Sequence, residues 1–257
     1  MSQAAADLHA AHVRYVLRLG DTSLILGQRL GEWIGHAPAL EEDLGLANLA
    51  LDFIGQARLL LTYAGELEGR GRDEDALAFL RTEAEFRNVQ LAEQPNGDFA
   101  CTIVRQVLLD VFQVELYDRL QHSRDTRLGG IAATALRESR YHLRYSTGWL
   151  TRLGDGTEES HARTQAAVER LWPFTRELCD PDPIDAEMCA QGIAPDLDEV
   201  REAWTARVAA AFSTATLTPP AATAFAWYGK RGEHGEHLGH LLTQMQYLQR
   251  AYPGARW

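Results

Sequence analysis

Residues 138–142, Glu138-Ser139-Arg140-Tyr141-His142, fall inside a longer segment, 131–153, in which Ala135, Leu136, Leu143, Trp149 and Leu150 recur at helical spacing. The segment is therefore predicted to be an amphipathic helix. Glu138 and His142 are four apart and share one helical face, about one turn from each other. A carboxylate and an imidazole so placed are either half of a metal site or a polar pair buried between helices. The surrounding chain has to decide.

Ala, Leu, Glu and Arg are abundant and β-branched runs are scarce, which predicts a nearly all-helical chain. Its 257 residues are enough for one large core, and no composition shift marks a boundary, so a single domain over 1–257 is expected. The net charge of −11 and pI near 5.3 argue against a nucleic-acid surface, where basic clustering is needed. Every basic residue except Lys230 is arginine, the side chain suited to two-pronged carboxylate pairing. Cys101, Cys179 and Cys189 form no Cys-x-x-Cys motif, so reduced thiols in a cytoplasmic protein are expected. Residues 1–7 lack the basic and apolar parts of a signal peptide. No uncharged run approaches the roughly 18 residues of a membrane span, so no membrane association is expected.

Residues 5–34 are predicted as one long helix, stopped by Gly35-His36-Ala37-Pro38. A second runs from about 39–41 to 68, with Glu41, Glu42 and Asp43 at its positive end. A shorter helix over 73–85 takes Asp73 as its N-cap, and 86–98 with Gln94-Pro95-Asn96-Gly97 is a connection. Two more long helices cover 99–121 and the opening segment. A fifth follows Gly154-Asp155-Gly156 from 158 to about 178, capped by Thr157 or Asp155. Residues 180–196 are an irregular excursion, and 196–212 and 232–251 are helical again.

Four long helices in two hairpins, joined by a long connection and followed by additional C-terminal helices, make an all-α pattern of the ferritin-like four-helix bundle type. In an antiparallel hairpin, residues equally far from the turn lie at one height. Asp21 and Asp52 are symmetric about the first turn, and Asp110 and Glu138 about position 124, so four carboxylates can share one layer. A di-iron site neutralises such a layer with one acid from each of two helices and Glu-x-x-His from each of the others. Three residues after Asp52 stands Gly55, and three after Glu138 stands Tyr141, with the imidazole one place late at His142. Three of the four acids are aspartates, shorter than the expected glutamates. The pattern predicts a retired metal layer at Asp21, Asp52, Asp110, Glu138 and His142, held by hydrogen bonds and ion pairs. The plainer alternative is that these acids are solvated or bridged by arginines such as Arg58, Arg105 and Arg140.

Several stretches resemble one family. They are Leu17-Arg18-Leu19-Gly20-Asp21, Leu26-Gly27-Gln28-Arg29-Leu30 with Glu32-Trp33, and Leu51-Asp52-Phe53-Ile54-Gly55-Gln56-Ala57-Arg58. Further along come Tyr141-His142-Leu143-Arg144, Arg152-Leu153-Gly154-Asp155-Gly156-Thr157-Glu158, Glu236-His237-Leu238-Gly239 and Met245-Gln246-Tyr247-Leu248. From about residue 12 onward the chain resembles the PaaC family, the C subunits of the multicomponent ring-1,2-phenylacetyl-CoA epoxidase. The resemblance implies a ferritin-like subunit with no catalytic residues, cofactor or metal of its own. It also implies a catalytic A subunit that carries the di-iron centre, inserts an oxygen atom into the ring of phenylacetyl-CoA and is stabilised by its ferritin-like partner. A B subunit and an iron–sulfur flavin reductase complete such a system, and the partner alone is compatible with a homodimer.

His234, His237 and His240 follow at spacing three, with Glu233 and Glu236 between them. On a helix such a ladder drifts around the surface instead of converging on one ion, so a polar, partly exposed face is expected. Lys230, Arg231, His234, Glu236 and His237 are taken as a partner-interface segment. Two other readings stay open on the residues alone: a self-sufficient di-iron oxidase or oxygenase using the carboxylate-rich set, and a free-standing helical acyl-CoA binding module.

Overall fold

The computed structural model describes residues 3–221 and 227–255, and no strand occurs among them. In chain order the helices are α1 (Gln3–Gly31), α2 (Leu40–Glu68), α3 (Glu74–Phe79), α4 (Gln90–Glu93), α5 (Phe99–Leu120) and α6 (Thr126–Gly154). They continue as α7 (Glu158–Leu171), α8 (Arg176–Cys179), α9 (Pro183–Ala190), α10 (Leu197–Thr214) and α11 (Glu236–Ala251). Two compact units divide the chain: Met1–Pro95 with Tyr228–Trp257, and Asn96–Trp227. The boundary falls in the Gln94-Pro95-Asn96-Gly97 turn.

In the first unit α1 and α2 form a long antiparallel hairpin. Asp43, in the first turn of α2, accepts hydrogen bonds from the Gly35 and Ala37 amides at 2.8 and 3.4 Å and so ties the turn to the helix it precedes. Gly20 and Gly27, seven apart on α1, are the contact points. A Cβ at Gly20 would press on Leu61, and one at Gly27 on Ile54 and the Ala50 carbonyl, so their absence lets the helices close on each other. Val16, Ile25, Leu30, Leu46, Leu49, Phe53 and Leu60 fill the seam.

The helix expected over 73–85 is shorter. Asp73 caps it by accepting from the Ala76 amide at 2.8 Å, but it ends at Phe79. Thr82 and Glu85 form a capping box that starts a separate 3-10 turn, Glu83–Glu85. The carbonyls left open are taken by α11. Gln246 donates to the Ala78 and Arg81 carbonyls at 3.1 and 3.0 Å, and Arg250 to the Arg81 carbonyl at 2.9 Å.

In the second unit α5 is buried on nearly every side, with α6, α7 and α10 packed on it. Asp98, Asp125 and Thr157 cap α5, α6 and α7 in turn. Trp204 donates its indole N–H to the Leu108 carbonyl at 3.0 Å, which pins α10 to α5. The single helix expected over 158–178 breaks at Leu171. Trp172-Pro173-Phe174 tightens into a 3-10 turn before α8. The excursion expected over 180–196 contains α9. Asp182 and Asp185 build a capping box around Pro183, which stands at the first helical position, where a missing N–H costs nothing.

Candidate functional site

Asp21 lies mid-helix on α1 and is fully buried. A bare carboxylate there would cost several kcal/mol, roughly, so it needs a partner. Arg81 supplies it. Its Nη1 donates to Asp21 Oδ2 at 3.0 Å and its Nη2 to Oδ1, a two-pronged pair with both side chains buried. The Arg87 backbone N–H adds a third hydrogen bond to Asp21 Oδ2 at 2.8 Å. Arg81 is itself fixed by the Leu77 and Glu85 carbonyls, at 2.5 and 3.2 Å, and stacks over the Phe86 ring at 4.3 Å.

A second buried network fastens the start of α11. Glu93, fully buried in α4, accepts from the Gly235 amide at 2.8 Å and the Asn88 amide side chain at 3.1 Å. The Nδ1 of His234 lies 2.9 Å from the Glu93 carboxylate and its Nε2 3.0 Å from the Phe86 carbonyl. Each ring nitrogen thus faces an oxygen, and the ring is held at both ends. Arg29 of α1 donates to the Glu93 carbonyl from Nε and Nη2, at 3.0 and 2.7 Å, and reaches the His237 carbonyl at 3.3 Å.

In the second unit Asp110 is fully buried and is held by neutral donors: Ser146 Oγ at 2.7 Å and Gln106 Nε2 at 2.8 Å. Burial pushes its carboxyl up to about 7, against the opposing pull of the Ser146 and Gln106 hydrogen bonds. Gln106, Asp110 and Gln113 on α5, and Ser139, His142 and Ser146 on α6, are all buried polar side chains.

Of the acids expected to share one layer, Asp21 and Asp110 are fully buried, whereas Asp52 and Glu138 are only partly buried. The arginines expected to bridge them also meet other groups. Arg58 meets Glu74 at 3.4 Å, Arg105 the Asn96 side chain at 2.7 Å, and Arg140 Asp118 at 2.8 Å. The arginine that bridges Asp21 is Arg81, which sequence reasoning missed because it arrives from a connecting segment. Gly55 and Tyr141, where ligand histidines would stand, both face solvent: a Cβ at Gly55 would meet nothing, and Tyr141 is 46% exposed. His142 is buried. Among the described residues no group of three or more His, Cys, Asp or Glu is placed to hold a metal ion. With the lone pairs of Asp21 taken by a guanidinium and Asp110 held by Ser146 and Gln106, these residues do not fit a di-iron centre.

The segment expected to face a partner is partly buried within the chain. His234 precedes α11, so no helical ladder includes it, and its side chain is buried against Glu93. Lys230 is buried as well, while Arg231 and Glu236 are exposed and His237 is half-buried. The helix dipole explains the first point: Glu93 brings an external carboxylate to the amides that open α11, and His234 follows it inward. Glu93 lay in a stretch read as a connection, and a buried acid there has no local signature.

One further surface stands out. Leu40, Leu44 and Leu51 are exposed on the same side of α2 as Gly55, and Leu59 is exposed beside them. The helix is long and apolar enough by composition to cross a membrane, with mean hydropathy 1.3 over its best window, 44% of which is buried. Arg58, with a side chain 76% exposed, interrupts the same side.

The chain resembles known proteins along its length. It is 55% identical over 243 residues to the C subunit of the 1,2-phenylacetyl-CoA epoxidase of Escherichia coli (strain K12), covering 95% of this chain and 98% of that protein. Among solved structures it matches protein 19 with aldehyde deformylating oxidase activity from Synechococcus, with a TM-score of 0.62 and 17% identity, over 95% of this chain and all of that one. That likeness shows the fold alone, an all-α fold of the ferritin-like class. The family described as phenylacetic acid catabolic protein (PaaA_PaaC) matches residues 1–257, and the chain belongs to it.

Proposed function

We propose that this chain is the non-catalytic structural subunit of a cytoplasmic phenylacetyl-CoA epoxidase complex. It stabilises a catalytic A subunit that carries the di-iron centre, beside a B subunit and an iron–sulfur flavin reductase. The observation that carries the reading is the Arg81–Asp21 pair: a guanidinium fills the coordination space of a carboxylate that a metal would need. The outward-facing Gly55 and Tyr141 support it, because neither position supplies the imidazole that a di-iron motif needs there. The apolar stripe of α2 supports the partner half of the reading, since an uncovered row of leucines on a water-exposed helix suits a protein face.

The test is iron content after anaerobic reconstitution with ferrous iron, on this chain alone and on the chain co-purified with the A subunit. The expected result is no stoichiometric iron on the chain alone and co-elution with the A subunit. Two irons per chain, or elution that ignores the A subunit, would sink the proposal.

A further inference from the structure

Arginine is unevenly placed on this acidic chain. Within the first unit, a cavity of about 280 Å³ opens between α1 and the segments that follow α2 and α3. Arg14, Arg70, Arg72, Arg81 and Arg87 line it, against two carboxylates, Glu68 and Glu85.

The charges do not cancel. Arg81 is neutralised by Asp21. Arg72 holds Glu68 from Nε at 2.7 Å and from Nη2 at 2.5 Å, and Arg70 brings a second cation within 3.7 Å of the same carboxylate. Glu85 gives one oxygen to the Thr82 N–H and O–H, both at 2.8 Å, and its other oxygen lies 3.9 Å from Arg72. Arg87 donates its guanidinium to two neutral carbonyls, Ala84 at 2.7 Å and Phe86 at 2.5 Å. Arg14 is exposed and, among the described residues, meets no carboxylate. Five guanidinium groups thus face Asp21, Glu68 and Glu85, which leaves two positive charges in a chain of net charge −11. Arg87 registers this surplus. Burial draws its guanidinium below the ordinary value, and the nearby charges of Arg14, Arg81 and Arg18 add to that against the opposing pull of Asp21.

We propose that this cavity binds a small phosphate-bearing anion. Phosphate offers several acceptor oxygens to several guanidinium forks at once, the geometry at which arginine excels. The volume is below the roughly 300–1,000 Å³ of pockets that enclose drug-sized ligands, so it suits a phosphate compound of few atoms or the phosphate end of a longer molecule. The charge can come from free inorganic diphosphate or from the diphosphate and 3′-phosphate end of coenzyme A. The inference stands on this cavity alone and does not depend on the complex proposed above.

The experiment is calorimetric titration of the full chain with inorganic diphosphate and, separately, with coenzyme A, at low ionic strength. One saturable site per chain is expected. Arg14→Glu, at an exposed position that does not disturb folding, should weaken it at least tenfold. Arg137→Glu makes the same charge change at an exposed position in the other unit and should leave affinity within twofold. Tighter binding of coenzyme A than of diphosphate assigns the site to the coenzyme, and equal or weaker binding to a free phosphate compound. Absence of saturable binding by both, or an equal loss in Arg14→Glu and Arg137→Glu, overturns the proposal. Iron content and co-elution are unaffected by either result, so this failure is separable from failure of the structural-subunit reading.

Discussion

Arg81 binds Asp21 through both carboxylate oxygens, deep in the first unit, and the arginine comes from a segment sixty residues away in sequence. Such a pair is a weak source of net stability, because desolvating two charges offsets most of their attraction, but breaking it by half strands a buried charge. Arg81→Met should therefore lower unfolding free energy by about 3–5 kcal/mol. Combining it with Asp21→Asn should recover a large part, since asparagine still accepts the Arg87 amide. Urea denaturation of the two single variants and the double gives the coupling directly. Additive losses would mean that the pair contributes nothing as a pair.

Asp110 gives the chain a pH dependence of unusual sign. Its folded-state value of about 7 lies above the ordinary 3.8, so the folded chain holds a proton that the unfolded chain releases. Its contribution is complete below about pH 4 and is lost as pH rises through about 7, up to about 4 kcal/mol. Asp110→Asn should remove this dependence. Asparagine can accept from Gln106 and donate to Ser146, whose hydroxyl can turn to the Leu143 carbonyl 3.4 Å away. Urea midpoints at pH 5 and pH 8 provide the check: the variant should gain on the parent between the two. A parallel pH response in both proteins would show that Asp110 is ionised throughout.

Helix periods and breakers made the long hairpins legible, because α1, α2 and α6 bury stripes that local sequence already shows. Helix starts were legible where a side chain caps its own helix, as Asp73 and Thr157 do. Three things were not. Pro183 opens a helix inside the stretch expected to be irregular, because proline is tolerated at a first turn and forbidden later. The partner of Asp21 could not be chosen among many arginines, since the choice is made by tertiary packing of residues 77–87. His234 was placed on a helical face, yet its position is set by Glu93, 141 residues earlier.

Glu93 should be the fastening point of α11. Replacing it by alanine leaves the Gly235 amide, the Asn88 side chain and the His234 imidazole without their common acceptor, a loss of about 3 kcal/mol. Glu93→Ala should lower hydrogen-exchange protection in the first turns of α11 by about a hundredfold while α6 keeps its protection. Equal loss in both helices would show that Glu93 acts on global stability instead of on this one attachment.

Leu44 and Leu51 separate folding from assembly. Both are exposed on α2, 57% and 68%, so lysine at either should change the stability of the chain alone by less than about 0.5 kcal/mol. If the stripe is the face that meets the catalytic subunit of the proposed complex, two buried charges at its centre should weaken co-elution at least tenfold. Leu248→Lys serves as the control, since Leu248 is an exposed leucine on α11 rather than on the stripe. A drop confined to Leu44→Lys and Leu51→Lys assigns α2 to the interface. Equal drops in all three would point to general aggregation, and none would move the interface to another face. The asymmetry lies in α2 itself, which is apolar on both sides while the interior of this chain covers only one of them.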